Sequence, residues 1–291
     1  MLGTLCVFGS AVIFGFTPVL AAISYQGGNN GINMAFLRSV LPLPLLLLIG
    51  WRLPLPDRSQ CKRGLLAGCM SFGCSLLLYS SYEHISPGLA TTLHFLYPLY
   101  VIVYEAVCAK RIPGITRLYG LGLGVLGSLL FLESGEGGNL LGFILALGSG
   151  MAYAAYIIVL GKESKHPMPL YRLMLLVSIS GVIMCGVAGT AMGKLSFALT
   201  RPAWICAAGV ALLAAVVGSV LFQRGVREIG EANAALFSLL EPITSVAFSV
   251  WLLHDALTPR KIVGCVLILG SLLIISLHDR KKLHHCDAAA G

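Results

Sequence analysis

Charge is what this sequence has least of. Asp, Glu, Lys and Arg make up 11% of its 291 residues, against roughly 25% in soluble domains. Such a chain cannot cover itself with a water-facing surface. The nine cysteines contain no CxxC pair, and most stand in apolar stretches as small hydrophobic residues, so no disulfide framework is expected. No aspartate lies inside an apolar run, which removes a two-aspartate intramembrane protease. A serine-type enzyme built on the Gly-Ser-Gly of 148–150 would have only His94 as a histidine partner within a span. The glycine-rich run over 120–127 lacks the strand–turn–helix setting of a phosphate loop. With no other nucleotide-binding segment, an ATP-driven pump is not expected of this chain.

What is abundant is hydrocarbon. Hydrophobic residues make up 57% of the chain, and its mean hydropathy is +0.88. A run of about 20 apolar residues crosses a bilayer core. Ten such runs are read at 2–24, 32–50, 64–82, 89–108, 117–132, 140–161, 170–190, 204–223, 232–252 and 261–277. Several hold glycine or proline, which packed membrane helices tolerate. The first run has no Lys or Arg ahead of it and exceeds the apolar core of a signal peptide, so it is taken as a span.

The basic residues orient the spans. With the N-terminus inside and ten alternating helices, fifteen of the twenty Lys and Arg fall in or beside cytoplasmic connections. Only Lys194, Arg201, Arg260 and Lys261 fall outside, and Arg38 lies within a helix. This bias predicts a cell-membrane protein with both termini cytoplasmic. It also accounts for the net charge of +8 without nucleic acid, because the positive residues are scattered over short loops facing anionic lipid.

The chain also repeats itself. The stretch from Ile85 to Gly120, moved 144 positions, falls without a gap on Ile229 to Gly264. Ile85 meets Ile229, Ala90 meets Ala234, Leu96 meets Leu240, Pro98 meets Pro242 and Gly120 meets Gly264. Gly3, Gly9 and Ser10 fall on Gly142, Gly148 and Ser149 at an offset of 139. Self-similarity on this scale marks a duplicated unit. Five spans per unit send the second copy into the membrane from the opposite side, the inverted-repeat plan of many secondary transporters. The expected architecture is an all-α membrane protein of ten transmembrane helices in two inverted five-helix repeats. The repeats cover 1–134 and 138–278, with a cytoplasmic tail at 279–291.

Polar residues inside spans are costly and should face protein or water. In the fourth span Thr91, His94, Pro98, Val101 and Glu105 share one face at 100° per residue. Pro98 should kink the helix, and Pro242 should do so in the ninth span. There Ala235, Ser238, Pro242, Ser245 and Ser249 repeat the arc, with Glu241 beside it as the most deeply placed carboxylate. Glu105 reads equally well as an end-of-helix partner for Lys110 or Arg111. Arg38 reads as snorkelling to the outer headgroups or as an anion contact in a central cavity. Tyr153 and Tyr156 read as core packing. Tyr79 aligns with Gln223 at offset 144. The candidate cavity is therefore lined by Tyr79, His94, Tyr97, Gln223, Ser238 and Glu241, with His94 and Glu241 as the groups for a coupled proton. No cofactor and no metal are expected, including at His284, His285 and Cys286 of the tail.

The run Ser86-Pro87-Gly88-Leu89-Ala90 leading to Pro98, and Leu240-Glu241-Pro242 followed by Asp255 and Gly264, resemble the EamA branch of the drug/metabolite transporter superfamily. In that family a carboxylate usually follows each such proline by about thirteen residues. Asp255 fits this in the second half, whereas Arg111 stands there in the first. The resemblance implies a secondary transporter, an exporter or exchanger, moving a small polar metabolite such as an amino acid by alternating access. The bilayer, the metabolite and a coupled proton would be its partners. The alternatives are a non-transporting membrane receptor or scaffold and, more remotely, an intramembrane enzyme.

Overall fold

A 25-residue helix, α1 (Leu2–Gln26), sets the scale. At 1.5 Å per residue it is about 37 Å long, more than a hydrocarbon core of about 30 Å requires. The structure is a computed structural model. It describes residues 2–50, 57–81, 84–85, 90, 93–108, 110, 114–130, 140–163, 169–253, 257–271 and 273–274. The Ser86–Leu89 motif, Thr91, Arg111, Asp255 and the tail from 279 onward lie outside the described residues.

Among the described residues all regular structure is helical. After α1 come α2 (Gly31–Val40), α3 (Leu43–Gly50), α4 (Arg58–Ser81), α5 (Tyr97–Val107), α6 (Ile115–Leu129), α7 (Leu140–Glu163) and α8 (Leu170–Ala191). Then α9 (Arg201–Gly209) continues through a π-helical stretch (Val210–Gly218) into α10 (Ser219–Ile229). The short α11 (Glu231–Phe237) precedes α12 (Leu240–Phe248), and a last helix, α13, covers 259–271. Among the described residues, seven segments are long and apolar enough to cross a membrane: Leu2–Gln26, Gly31–Ile49, Arg58–Ser81, Leu140–Gly161, Leu170–Ala191, Arg201–Ile229 and Asn233–Leu252. The fourth, fifth and tenth expected spans fall on the shorter α5, α6 and α13.

Prolines decide where spans break. The expected span 32–50 divides at Leu41–Pro42, because Pro42 has no N–H to carry the helical ladder across. The span 232–252 divides at Ser238–Leu239, four residues before Pro242 loses its own donor. Ser238 O is rescued by Glu241 N at 2.9 Å. Pro98 acts alike, with a turn at Phe95–Leu96 and Leu99 N bonded to Leu96 O at 2.9 Å.

The helices of the two sequence halves interleave. α1 packs on α9, α10 and α12 of the other half. α7, the sequence echo of α1, packs on α4 and α5, which are the echoes of α9–α10 and α12. α2 packs on α8, and α5 on α11. One core accordingly draws Val7, Ala67, Tyr97 and Val101 from the first half and Tyr156, Ile157, Phe222 and Leu236 from the second. The echo reaches single bonds: Ser10 Oγ donates to Val7 O at 2.7 Å, and Ser149 Oγ to Ala146 O at 2.6 Å.

Glycines permit these approaches. A Cβ on Gly15 would meet Thr244 Oγ1 and stand 2.8 Å from Glu241 O, and one on Gly150 would stand 2.9 Å from His94 O. One on Gly127 would stand 2.7 Å from Gly264 O, which brings α6 against α13. At one end, an asparagine cluster ties the 194–200 segment to the start of α2. Asn30 Nδ2 donates to Lys194 O at 2.8 Å and Asn33 Nδ2 to Ser196 O at 2.7 Å.

Gly15 and Gly122 make a controlled pair. Gly15→Ala must push α1 off α12, which costs about 1–3 kcal/mol. Nothing stands within 4 Å of a Cβ on Gly122, so Gly122→Ala should keep or gain stability, by up to about 1 kcal/mol from helix propensity. Thermal unfolding of both variants in one detergent checks the contrast; equal melting temperatures would contradict the packing.

Candidate functional site

Where the two broken spans meet, an aromatic column fills the middle of the molecule. Tyr97, at the first turn of α5, is fully buried. Its ring packs edge-on against Tyr153 of α7, with centroids 4.7 Å apart at 85°. Tyr153 also faces His94 at 5.3 Å, Tyr156 at 5.9 Å and Phe222 of α10 at 6.2 Å. Edge-to-face and offset pairs at these distances are favourable geometries for quadrupolar rings. Tyr153 is thus the hub, although sequence spacing marked it only as packing.

His94 Nδ1 stands 3.0 Å from Ser149 Oγ, whose hydroxyl donates to Ala146 O at 2.6 Å and so can accept from an Nδ1–H. Ser149 entered the sequence argument only as the echo of Ser10. Its value as a partner for His94 came from the approach of α7 to α5.

Three buried polar atoms here have no hydrogen-bond partner: Tyr97 Oη, Gln223 Oε1 and Glu241 Oε1. Orphans of this kind are rare in folded proteins and ask for a reason. Glu241 is within electrostatic reach of Tyr97, Tyr153 and Cys74. Ser238 lies beside the Tyr97 hydroxyl without meeting hydrogen-bond geometry, and its own hydroxyl donates to Ala234 O at 2.9 Å. Gln223 Nε2 donates to Tyr156 Oη at 3.2 Å and touches Met174 Sδ.

Tyr156 joins this column to a cleft between α2, α4, α8 and the π-helical stretch. The cleft is lined by Arg38, Ser39, Ser71, Ser75, Ser178 and Ser219, among others. It has room for about two water molecules. Tyr79 of α4 reaches the same region through the Arg38 guanidinium. Of the six residues expected to share a cavity, His94, Tyr97, Ser238 and Glu241 gather around the column. Gln223 stands where column and cleft join, and Tyr79 stands at the Arg38 side of the cleft. Glu105 is buried near the end of α5.

The profile of the EamA-like transporter family matches residues 1–132 and 140–277. An uncharacterized transporter of Synechocystis is 24% identical over an alignment covering 95% of this chain and 93% of that protein. The uncharacterized transporter YcbK of Bacillus subtilis is 25% identical, covering 97% and 94%. A solved crystal structure superposes with a TM-score of 0.80 over 96% of this chain and 98% of the other, at 14% identity, which speaks for the fold alone.

Ser149→Ala should leave His94 Nδ1 without this partner and lower stability by about 1–3 kcal/mol. Glu241→Gln should not lower it, because a carboxyl oxygen that already lacks a partner has no bond to lose. Melting temperatures of the two variants, measured together, check this ordering. A large loss in Glu241→Gln alone would point to an unseen partner.

Proposed function

Because the chain belongs to the EamA-like transporter family, we propose that it is a secondary transporter working by alternating access at the aromatic column and its adjoining cleft. Its ten helices form two inverted five-helix repeats in the cytoplasmic membrane, with both termini in the cytoplasm. The substrate is a small polar metabolite, moved outward or exchanged. One observation carries this reading: the first half contributes Tyr97, and the second Gln223 and Glu241, each with a buried polar atom that has no hydrogen-bond partner. A scaffold or receptor would gain nothing from leaving them unsatisfied in hydrocarbon, where each costs several kcal/mol on the order of a lost hydrogen bond or more. A carrier needs such groups for its cargo.

The exchange of contacts between α1 and α7 supports the repeat plan, since each helix meets the other half through the echo of the other's partners. Proton coupling would run through Glu241 or through His94. If Glu241→Gln and His94→Ala each transport normally with an unchanged pH profile, coupling at these residues is wrong.

The central test is accessibility. In a cysteine-free background, His94→Cys, Tyr97→Cys, Ser238→Cys and Glu241→Cys should each react with a membrane-impermeant thiol reagent. At least one position should label from either side of the membrane, with protection by one metabolite fraction. Absence of labelling from both sides at all four would make this region packed core and overturn the transport reading.

A further inference from the structure

We infer that Arg38, held in place by Ser75, forms the anion subsite of this cleft and that the cargo presents a carboxylate to its guanidinium. This rests on the transporter reading above and adds the chemical class of the cargo. Arg38 stands in the last turn of α2, about 10 Å along the helix from Gly31. An arginine there stays charged and offers five N–H donors. The bond that the structure gives it to α4 is long, with Nη1 3.5 Å from Ser75 Oγ. The Tyr79 hydroxyl is also within its reach. No acidic side chain pairs with it among the described residues, unlike Arg224, which meets Glu228 at 3.0 Å.

Direction matters as much as charge. A snorkelling arginine would run along lipid toward the headgroups. This one lines a cleft walled by α4 and α8, opposite Ser178 and Tyr156. The surrounding hydroxyls are already donating backward. Ser75 bonds Ser71 O at 3.1 Å, Ser39 bonds Ala35 O at 3.0 Å and Ser219 bonds Ala214 O at 3.0 Å. Their free lone pairs therefore face the cleft as acceptors. They can hold the guanidinium or a donor on the cargo, but cannot neutralise the positive charge. The complement of a planar guanidinium with no carboxylate of its own among the described residues is a planar oxyanion bound by two parallel N–H···O bonds. The carboxylate fits the small cleft and the single cation better than a doubly charged phosphate does.

The experiment uses the full chain in lipid nanodiscs. L-lactate, benzoate and L-leucine are each compared with their primary amides, alongside inorganic phosphate, and binding is read as a shift in melting temperature titrated to a Kd. At least one carboxylate should bind, its amide should not, and Arg38→Gln should weaken it by about tenfold or more. Ser75→Ala should weaken it less. Should Arg38→Gln fail to fold, Arg38→Lys should show the loss, because a point charge cannot replace the fork. The amide comparison needs no variant. An unchanged Kd in the Arg38 variants, preference for phosphate, or no binding by any of the three carboxylates would overturn the inference. Thiol labelling from both sides at 94 and 241 with no carboxylate binding would remove this subsite and leave the transporter reading intact. Loss of both would remove the two together.

Discussion

The structure depends on what a bilayer demands of a backbone that proline has broken. Pro98 and Pro242 each withdraw one N–H in mid-span, and hydrocarbon supplies no water to replace it. At the second break Glu241 N turns to the freed Ser238 O, and small residues of the opposite half pack closely against both breaks. Gly150 comes up to the carbonyl of His94, and Gly15 to that of Glu241. Thr244 Oγ1, 3.1 Å from Ala11 O, adds a polar contact between α12 and α1. The breaks and the small residues facing them are one arrangement.

That arrangement also explains where the polar groups collect. Around each break, residues that would otherwise be helix interior turn toward the partner helix. His94 thereby reaches Ser149, and Tyr97 reaches Tyr153. Tyr153 and Tyr156 then carry the contact on to Phe222 and Gln223 of α10. The column is thus a packed core along most of its length, and in the proposed transport reading its two ends would serve as binding surfaces. Glu241 stands at one end, and the Arg38 cleft at the other. A core of this kind can exchange between two packings more readily than it can deform, because close-packed interiors shift by steps.

Much of the fold was legible in the residue pattern, because length, hydropathy and charge bias report directly on the bilayer. Helical class, most of the apolar segments and the match of the two halves belong there, as does the polar character of His94, Tyr97, Ser238 and Glu241 inside apolar runs. The breaks at 41–42 and 238–239 were only partly legible: proline marks a lost hydrogen bond, but the place where the ladder resumes depends on which acceptor finds a new donor. The π-helical stretch Val210–Gly218 carries no distinctive composition and left no mark. Tyr153 was passed over because an aromatic residue in an apolar helix looks the same whether it faces lipid, core or cargo.

The amino-acid order by itself determined that this chain lives in a membrane, that it is built twice, and which few residues could not be left in lipid. Those are local properties, set by transfer free energies and by the 3.6-residue period. Tertiary structure alone decided which half meets which. It made Ser149 the partner of His94, turned Arg38 into a cleft, and left Glu241, Tyr97 and Gln223 with unpartnered atoms. These outcomes depend on contacts between segments more than fifty residues apart, and whether a buried polar atom is satisfied is a property of its neighbours in space.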